Sequence, residues 1–239
     1  MKKGKVQMIY ITGDTHGLND LAPVKKYFDD GYDPDGRKVT KDDYLIILGD
    51  VACCWDGKWH DKKIRKALHE LPPTILWLDG NHENFDLIES LPVTYGWNGG
   101  SVQYVLDDDI IHLMRGKIYS LEGKTFFVMG GGYSIDKAWR IPGLSWWSQE
   151  QPSMKEYDEG IRNLEDVDYK VDYILSHTCP GKIARQLVSH IIPGEEEMQR
   201  YFDDVSNEVE FRGWYFGHWH VDEDIGGFHA MYNNVIKLG

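Results

Sequence analysis

The sequence predicts an α/β fold, in which short buried strands alternate with helices. Three apolar runs, at residues 5–11, 44–48 and 74–78, have the β-branched and aromatic composition of buried strands. A helical pattern separates the second run from the third, and this strand, helix, strand order indicates a right-handed parallel crossover. Residues 110–129 then carry consecutive strands without helices, which predict a second, partly antiparallel sheet packed on the first.

Two helices are predicted in the first third of the chain. Asn19 or Asp20 can cap a short helix that ends near Phe28, with Pro23 in its first turn. A second helix is predicted at residues 61–70, where apolar side chains recur at the i, i+3 and i+4 spacing of an amphipathic helix.

The rest of the chain contains strands, three helices and one long loop. Strands are predicted at residues 110–114, 117–121, 124–129, 171–175, 213–216 and 229–238, the last with a hairpin turn at Gly226-Gly227 as an alternative. Helices are predicted at residues 153–167, 181–190 and 195–209. Residues 136–149 show neither the helical nor the strand spacing of apolar residues and are predicted to form an ordered loop. Loops of this length are often functional. Without repeats or linkers, residues 1–239 are predicted to form a single domain.

Composition limits the classes of function. A formal charge of -13 argues against a broad surface for nucleic acids or anionic membranes, although local cations could still recruit phosphates. The N-terminal apolar run is too short for a signal peptide, and no later segment resembles a membrane span, so we expect a soluble, cytoplasmic protein. The cysteines, Cys53, Cys54 and Cys179, form no metal or disulfide pattern, which fits a reducing compartment.

Polar side chains follow the ends of five predicted strands. Asp14 and His16 come first, and because extended backbone points residues i and i+2 the same way, both can face one ion. The others are Asp50, Asn81, His82, His177, His218 and His220. Sites form at the carboxyl edge of open α/β sheets, so we expect these groups to converge. Oxygen and imidazole donors suit Mn²⁺, Fe or Zn²⁺, and two aspartates leave such ions Lewis acidic enough to attract a phosphate.

These motifs resemble the signature of the calcineurin-like metallophosphoesterase family. That signature is Asp-x-His, Gly-Asp, Gly-Asn-His-Glu or Asp, a lone His after a strand, and Gly-His-x-His. It matches this chain in order, at Asp14-Thr15-His16, Gly49-Asp50, Gly80-Asn81-His82-Glu83, His177 and Gly217-His218-Trp219-His220. The resemblance implies a four-layer α/β/β/α sandwich of two mixed sheets flanked by helices. It also implies two divalent ions, Mn²⁺ being favoured. It assigns Asp14, His16 and His220 to one ion, Asn81, His177 and His218 to the other, and Asp50 to both.

The resemblance implies hydrolysis of a small phosphoester or nucleotide, as a phosphomonoesterase or phosphodiesterase. Two cations about 3.5 to 4 Å apart bridge a water and lower its pKa toward neutrality, which creates a hydroxide for in-line attack on phosphorus. His82 stays free of the metals in the family pattern. We therefore expect His82 to stabilise the charge that develops in the transition state or to protonate the leaving oxygen. Proton transfer of this kind contributes a factor of about 10² to 10⁴ in rate.

The chain departs from the phosphoprotein phosphatases of this class. These extend the second motif to Gly-Asp-x-x-Asp-Arg-Gly, whose Asp supports the catalytic His and whose Arg grips phosphate, whereas Cys53, Cys54 and Trp55 stand there in this chain. They also lack the first His of the Gly-His-x-His. A serine/threonine-type phosphatase is therefore only an alternative. The cations that could replace the missing Arg are Lys137, Arg140 and Arg115, with Lys137 and Arg140 in a tryptophan-rich loop that could stack on a base or sugar.

Two other functions remain as alternatives. His218 begins a His-x-His-x-Asp motif of the metallo-β-lactamase type, but Glu223 stands where that family has His. A metal-free scaffold on the same fold would show a broken ligand set, which this chain does not. The remaining histidines, His60, His69, His112, His190 and His229, are predicted to be ordinary surface or half-buried residues, and the acidic runs 107–109 and 195–197 to be solvated. The oligomeric state is not predicted.

Overall fold

The computed structural model describes residues 7–106, 109–188 and 194–239. The strands in these stretches are β1 Ile9–Thr12, β2 Tyr44–Ile47, β3 Thr74–Trp77, β4 Val93–Trp97, β5 Gly100–Leu106, β6 Ile110–Leu113, β7 Lys117–Leu121, β8 Lys124–Met129, β9 Tyr173–Ser176, β10 Gly213–Phe216, β11 Glu223–Ile225, β12 Phe228–Ala230 and β13 Val235–Leu238. The α-helices are α1 Ala22–Tyr27, α2 Trp59–His69, α3 Phe85–Glu89, α4 Met154–Glu165, α5 Gly181–Leu187 and α6 Glu196–Glu208. None of these helices combines the length and the apolar character needed to cross a membrane.

The strands form two mixed sheets. The first has the order β13-β1-β2-β3-β6-β5-β4, and its β1, β2, β3 and β6 run parallel. The second has the order β11-β12-β10-β9-β8-β7, with β12, β10, β9 and β8 parallel. Each parallel core is flanked by antiparallel strands, as expected when crossover helices and hairpins alternate along one chain.

The two sheets pack face to face between outer layers of helices. Ile11 and Leu76 from the first sheet share a buried cluster with Phe126 and Leu175 from the second. On the outer face of the first sheet, the apolar stripe of α2 packs into a second cluster that also contains α1. Helices α4, α5 and α6 supply a third cluster on the outer face of the second sheet. This arrangement confirms the predicted four-layer sandwich.

The middle of the chain differs from the prediction in its strand assignment. Strand β6 was expected in the second sheet, but it lies in the first, parallel to β3, with Trp77 opposite His112. Strands β4 and β5 were not predicted, because Gly96, Gly99 and Gly100 interrupt the alternating pattern there. The second sheet takes its antiparallel hairpin from β7 and β8 instead.

The predicted closing strand at residues 229–238 is two strands in different sheets. Strand β12 pairs antiparallel with β11 around Gly226 and Gly227, whose φ values of 55° and 90° suit a tight hairpin turn. Residues 231–234 then cross to the first sheet, where β13 pairs antiparallel with β1. The C-terminal segment therefore joins both sheets.

Helix α3 was not predicted, whereas the other five helices lie close to their predicted limits, with one difference in capping. Ser153 caps α4 through a capping box with Glu156. Helix α1, in contrast, begins after Leu21 without a side-chain cap, so the expected cap by Asn19 or Asp20 is wrong. The helix predicted at residues 181–190 is observed as α5, which ends at Leu187. Residues 189 and 190 of the predicted helix, and thus His190, lie outside the described part of the chain.

Candidate metal centre

The polar side chains that follow β1, β2, β3, β9 and β10 meet at the carboxyl edge of the two sheets. Glycines make this approach possible: a Cβ atom on Gly80 would overlap the carboxylate of Asp50, and one on Gly217 would overlap that of Asp14. His16, Asp50, His218 and His220 have positive φ values of 40°, 50°, 68° and 51°. Left-handed backbone in residues other than glycine costs about 1–3 kcal/mol each and clusters at functional sites.

One group of possible ligands consists of Asp14, His16 and His220, whose ligand atoms all lie within 4.8 Å of one another. Asp14 Oδ2 lies 3.2 Å from Nε2 of His220 and 4.0 Å from Nε2 of His16. Nδ1 of His16 lies 2.8 Å from a carboxylate oxygen of Asp20, which accepts its proton and directs Nε2 into the site. Asp20 thus orients a candidate ligand, and α1 begins without the predicted cap.

A second group lies around Asp50. Oδ2 of Asp50 is 3.6 Å from Nε2 of His16 and 3.6 Å from Nε2 of His177, so this carboxylate lies between the two rings. Nε2 of His177 is also 3.0 Å from Oδ1 of Asn81, and its Nδ1–H donates to the carbonyl of Leu48 at 2.7 Å. Asp14, Asp50 and His177 form a second set of ligand atoms within 4.8 Å.

The amide of Asn81 is oriented by a residue that the sequence did not single out. Asn81 Nδ2 donates to Oγ of the buried Ser134 at 3.2 Å, which turns Oδ1 toward His177. The backbone N–H of Ser134 in turn donates to the buried Glu150 carboxylate at 3.2 Å. The loop after β8 therefore fixes which atom of Asn81 faces the site.

His218 differs from the other predicted ligands. Its backbone N–H donates to Asp14 Oδ1 at 3.0 Å, and its ring packs edge-on against His177 with centroids 5.0 Å apart. Nε2 of His218 faces Glu195, with 3.6 Å between Nε2 and Oε1. The structure thus places His218 beside the other histidines without bringing it into either compact group.

Burial and charge shape the proton affinities of these groups. Burial opposes ionisation of Asp50, but the charge of His177 and the contact with His16 outweigh it and hold the pKa of Asp50 far below its usual range. Burial also disfavours protonated His16, yet the hydrogen bond and charge of Asp50, with Asp14 and Asp20, raise the pKa of His16 to about 9. A divalent ion would displace these protons, because ligating histidines must be neutral.

The residues at this edge fit divalent cations. Asp14 and Asp50 are 1% and 2% exposed, and buried carboxylates need cations or metal ions beside them. Carboxylate, amide and imidazole donors without thiolate suit Mn²⁺, Fe or Zn²⁺. Asp222, which a metallo-β-lactamase site would use, accepts the backbone N–H of Tyr232 at 2.8 Å instead. The donor set therefore favours a calcineurin-like arrangement of ligands.

His82 and Arg140 contact each other at the edge of these groups. The backbone N–H of His82 donates to Asp50 Oδ1 at 2.8 Å, and Nη2 of Arg140 lies 2.7 Å from Nδ1 of the His82 ring. Arg140 also donates to Asp136 at 2.7 Å and to the carbonyl of Ser145 at 3.0 Å. Because Arg140 can only donate, Nδ1 of His82 accepts, and the proton of the neutral ring is on Nε2. Burial, reinforced by Arg140, lowers the pKa of His82.

The other two candidate cations lie elsewhere. The ammonium group of Lys137 lies over the rings of Tyr133 and Trp146, 4.6 and 5.5 Å from their centroids. Arg115 is buried and donates to Asp79 at 2.8 Å, so its charge is already paired. His112, expected to be an ordinary residue, is buried and bonds the same aspartate at 3.0 Å.

Two cavities adjoin Asp50 and His82. One, of about 300 Å³, is also lined by Ala52, Trp55 and His60, together with Arg140. The other, of about 450 Å³, is lined by Tyr133, Ile135, Val188 and Trp219 together with His218 and His220. Both combine apolar walls with the polar groups of the site, a typical lining for small-molecule sites. Trp139 is 90% exposed and lines neither cavity.

The calcineurin-like phosphoesterase family matches residues 8–222 of this chain. Phosphopantetheinyl hydrolase from Mycobacterium tuberculosis is 17% identical, with a TM-score of 0.49 over 96% of this chain and 89% of that one. A protein described as a candidate 5'-nucleotidase from Staphylococcus aureus, in complex with alpha-ketoglutarate, is 13% identical, with a TM-score of 0.52 over 96% of this chain. The match covers 50% of that second protein, so this chain spans about half its length. No curated protein matches the sequence.

Proposed function

This chain belongs to the calcineurin-like phosphoesterase family and is a metal-dependent phosphoesterase, and from that premise we propose that it hydrolyses a small phosphoester or nucleotide using two divalent ions. The observation that carries this proposal is the position of Asp50. Its carboxylate lies 3.6 Å from the ring nitrogens of His16 and His177 on either side, as a ligand shared by two ions should. We propose Mn²⁺ as the ion, which the resemblance to this family favours.

Each ion is proposed to have its own ligands besides Asp50. Those of the first are Asp14, His16 and His220, and those of the second are Asn81, His177 and His218. When bound, divalent ions supply Lewis acidity, which lowers the pKa of water and draws electron density from the phosphoryl group. Asp20, Leu48 and Ser134 hold three of these ligands in orientation through the hydrogen bonds described above.

His82 and Arg140 are proposed to act on the substrate directly. With Nδ1 occupied by Arg140, the Nε2–H of the neutral His82 ring can donate a hydrogen bond to the negative charge that develops on the leaving oxygen. Arg140 uses three of its five N–H groups on Asp136, Ser145 and His82, which leaves two that can donate to phosphate oxygens. Lys137 is the second candidate cation, and its position over two aromatic rings supports a role in holding the loop.

The surroundings support a small substrate over a phosphoprotein. Cys53 and Cys54, which stand where phosphoprotein phosphatases have catalytic groups, are buried in the core cluster and present nothing to a ligand. Trp55, in contrast, lines the smaller cavity. Because both cavities adjoin Asp50, a phosphate there could extend an ester group toward either one. Monoesters and diesters are therefore both candidates.

Activity assays with defined metal content test this proposal. Aryl phosphate monoesters and diesters should be hydrolysed by protein loaded with Mn²⁺, and a chelator should abolish the activity until Mn²⁺ is restored. Metal analysis should find about two ions per chain. Absence of turnover on both substrate classes, with two ions bound, would reject the proposed reaction.

Variants of the shared ligand give a matched control. Asp50→Asn should lose metal and activity together, because it removes the charge proposed to bind both ions, whereas Asp204→Asn, an exposed aspartate on α6, should match the unmodified protein. His177→Ala should lose one ion and most of the activity. Normal metal content and turnover in Asp50→Asn and His177→Ala would remove the site assignment.

A further inference from the structure

The acidic run at residues 195–197, expected to be solvated, begins with a fully buried carboxylate. Glu195 is 0% exposed, whereas Glu196 and Glu197 are on the surface. Glu195 immediately precedes α6, so its side chain enters the protein where that helix starts. A buried carboxylate needs partners for both oxygens, because burial removes the water that would otherwise solvate them.

The two oxygens of Glu195 differ in their contacts. Oε2 accepts a hydrogen bond from Nε2 of Gln199 at 2.8 Å. Oε1 has no hydrogen-bond partner among the described residues, but Nε2 of His218 lies 3.6 Å from it. His218 is thus a nearby group with a proton to offer, at a distance that a small ring movement would close to a hydrogen bond.

We propose that Glu195 is a positioning residue that holds His218 by its Nε2–H and thereby leaves Nδ1 as the nitrogen that binds a metal ion. The inference rests on the proposed two-ion site. A ligating histidine donates its other ring N–H to a fixed acceptor, and that acceptor determines which nitrogen remains for the metal. Glu195 supplies that acceptor for His218.

The other histidines of the site are oriented the opposite way. Nδ1 of His16 is held by Asp20 and Nδ1 of His177 by the carbonyl of Leu48, so both present Nε2 to the centre. His218 presents Nε2 to a carboxylate outside the centre instead. Its backbone is fixed as well, by the N–H bond to Asp14 and a φ of 68°. The His218 ring is therefore held from the side of Glu195 and α6, whereas His16 and His177 are held through Nδ1.

Metal affinity and histidine tautomers can test this role separately from catalysis. Glu195→Leu should lower the affinity for one of the two Mn²⁺ ions about 10- to 100-fold, which is the usual loss of metal affinity when the hydrogen-bond partner of a ligating histidine is removed. Glu195→Gln keeps an oxygen acceptor and should lose less, and Glu196→Gln should bind both ions normally. In Zn²⁺-loaded protein with ¹⁵N-labelled histidine, His218 should carry its proton on Nε2.

The outcomes distinguish this inference from the proposed site itself. If His218→Ala loses one ion but Glu195→Leu and Glu195→Gln bind both ions normally, Glu195 does not position the ligand. If His218→Ala also binds both ions normally, His218 is not a ligand and the proposed ligand set of the second ion is wrong. Should Glu195→Leu not fold, the tautomer decides: a proton on Nδ1 of His218 in the Zn²⁺-loaded unmodified protein would overturn the inference.

Discussion

His82 is held at both its backbone and its ring, but it belongs to neither compact ligand group. His82→Ala should therefore keep both ions and lower kcat by about 10² to 10³, since a hydrogen-bond donor directed at charge that develops in the transition state contributes that much. The loss should shrink for aryl phosphates whose leaving groups are acidic. Rates across a series of leaving groups, with metal content measured in parallel, check this. Loss of metal in His82→Ala, but not in the control His229→Ala, would make His82 a ligand.

The two loop cations should differ in their effect on catalysis. Arg140→Ala removes the contact with His82 and the proposed phosphate contact, and hydrogen bonds to charged groups are worth about 1.5–3 kcal/mol, so kcat/KM should fall at least about tenfold. Lys137→Ala should lower the melting temperature and have little effect on kcat/KM, because the Lys137 ammonium group contacts aromatic rings of the loop. Equal kinetic losses in both variants, or none in Arg140→Ala, would contradict this assignment.

The candidate ligands could be predicted from the sequence, but the residues that orient them could not. Each predicted ligand follows a recognisable strand, and the edge of a sheet brings such positions together whatever the sequence between them. Ser134 and Glu195 are separated from their partners by 53 and 23 positions, and their roles depend on packing. Asp20 did offer a signal, since a carboxylate four residues after a candidate ligand can accept its ring proton.

At the scale of elements, strands β3 and β6 are joined at their carboxyl ends by a buried ionic network. Asp79, after β3, binds Arg115, after β6, and His112, within β6. Arg115→Met should lower the free energy of unfolding by about 3–5 kcal/mol, because it leaves the buried Asp79 short of its main cation. Urea denaturation measures this, with Arg162→Met on the surface of α4 as control.

A second variant separates charge pairing from packing. The double variant Asp79→Asn with Arg115→Met should be destabilised by less than the sum of the two single variants. In the double variant, loss of the arginine no longer leaves the buried Asp79 carboxylate without its cation. Additive losses in this double-mutant cycle would mean that Arg115 stabilises the protein by packing alone.

Some elements were more predictable than others for physical reasons. Strands β1, β2 and β3 are continuous apolar runs between turn residues, because they are buried on both faces of a parallel sheet. Strand β4 has exposed residues at its centre and a glycine at position 96, so its pattern is that of a loop. The position of β6 beside β3 depends on the path of the chain between them, and strand composition does not record that path.

At the scale of the molecule, acid should destabilise the protein even without metals. The buried Asp43 accepts the backbone N–H of Met8 at 2.9 Å and binds Arg37 at 2.7 Å. Burial opposes its ionisation, but Arg37 and the backbone donors outweigh burial and hold the pKa of Asp43 below its ordinary value. Its stabilising contribution is complete above the unfolded-state pKa of about 3.9 and is lost as pH falls through the lower folded-state pKa.

Chelator-treated protein isolates this effect from metal release. The free energy of unfolding should decline as the pH falls below about 4. Asp43→Asn should be less stable at pH 7 and should show a shallower decline. An equally steep decline in the variant would assign the acid sensitivity to other carboxylates.

We propose that the whole chain folds as a single domain. The core between the sheets draws residues from both, and the C-terminal segment passes from β12 in one sheet to β13 in the other. Thermal unfolding should therefore give coincident transitions by backbone and aromatic circular dichroism. Two separated transitions would show that the sheets unfold independently.

The pairing of β13 with β1 also has a consequence for synthesis on the ribosome. Strand β1 leads to Asp14 and His16, yet one of its two neighbours is β13, which follows it by more than 200 residues. Until residues 235–238 emerge, β1 has an unpaired edge, and such edges invite association with other nascent chains. His218 is translated 204 residues after Asp14. A nascent chain therefore carries its first candidate ligands while more than 200 further residues are added, before it can complete either the sheet or the set of candidate ligands.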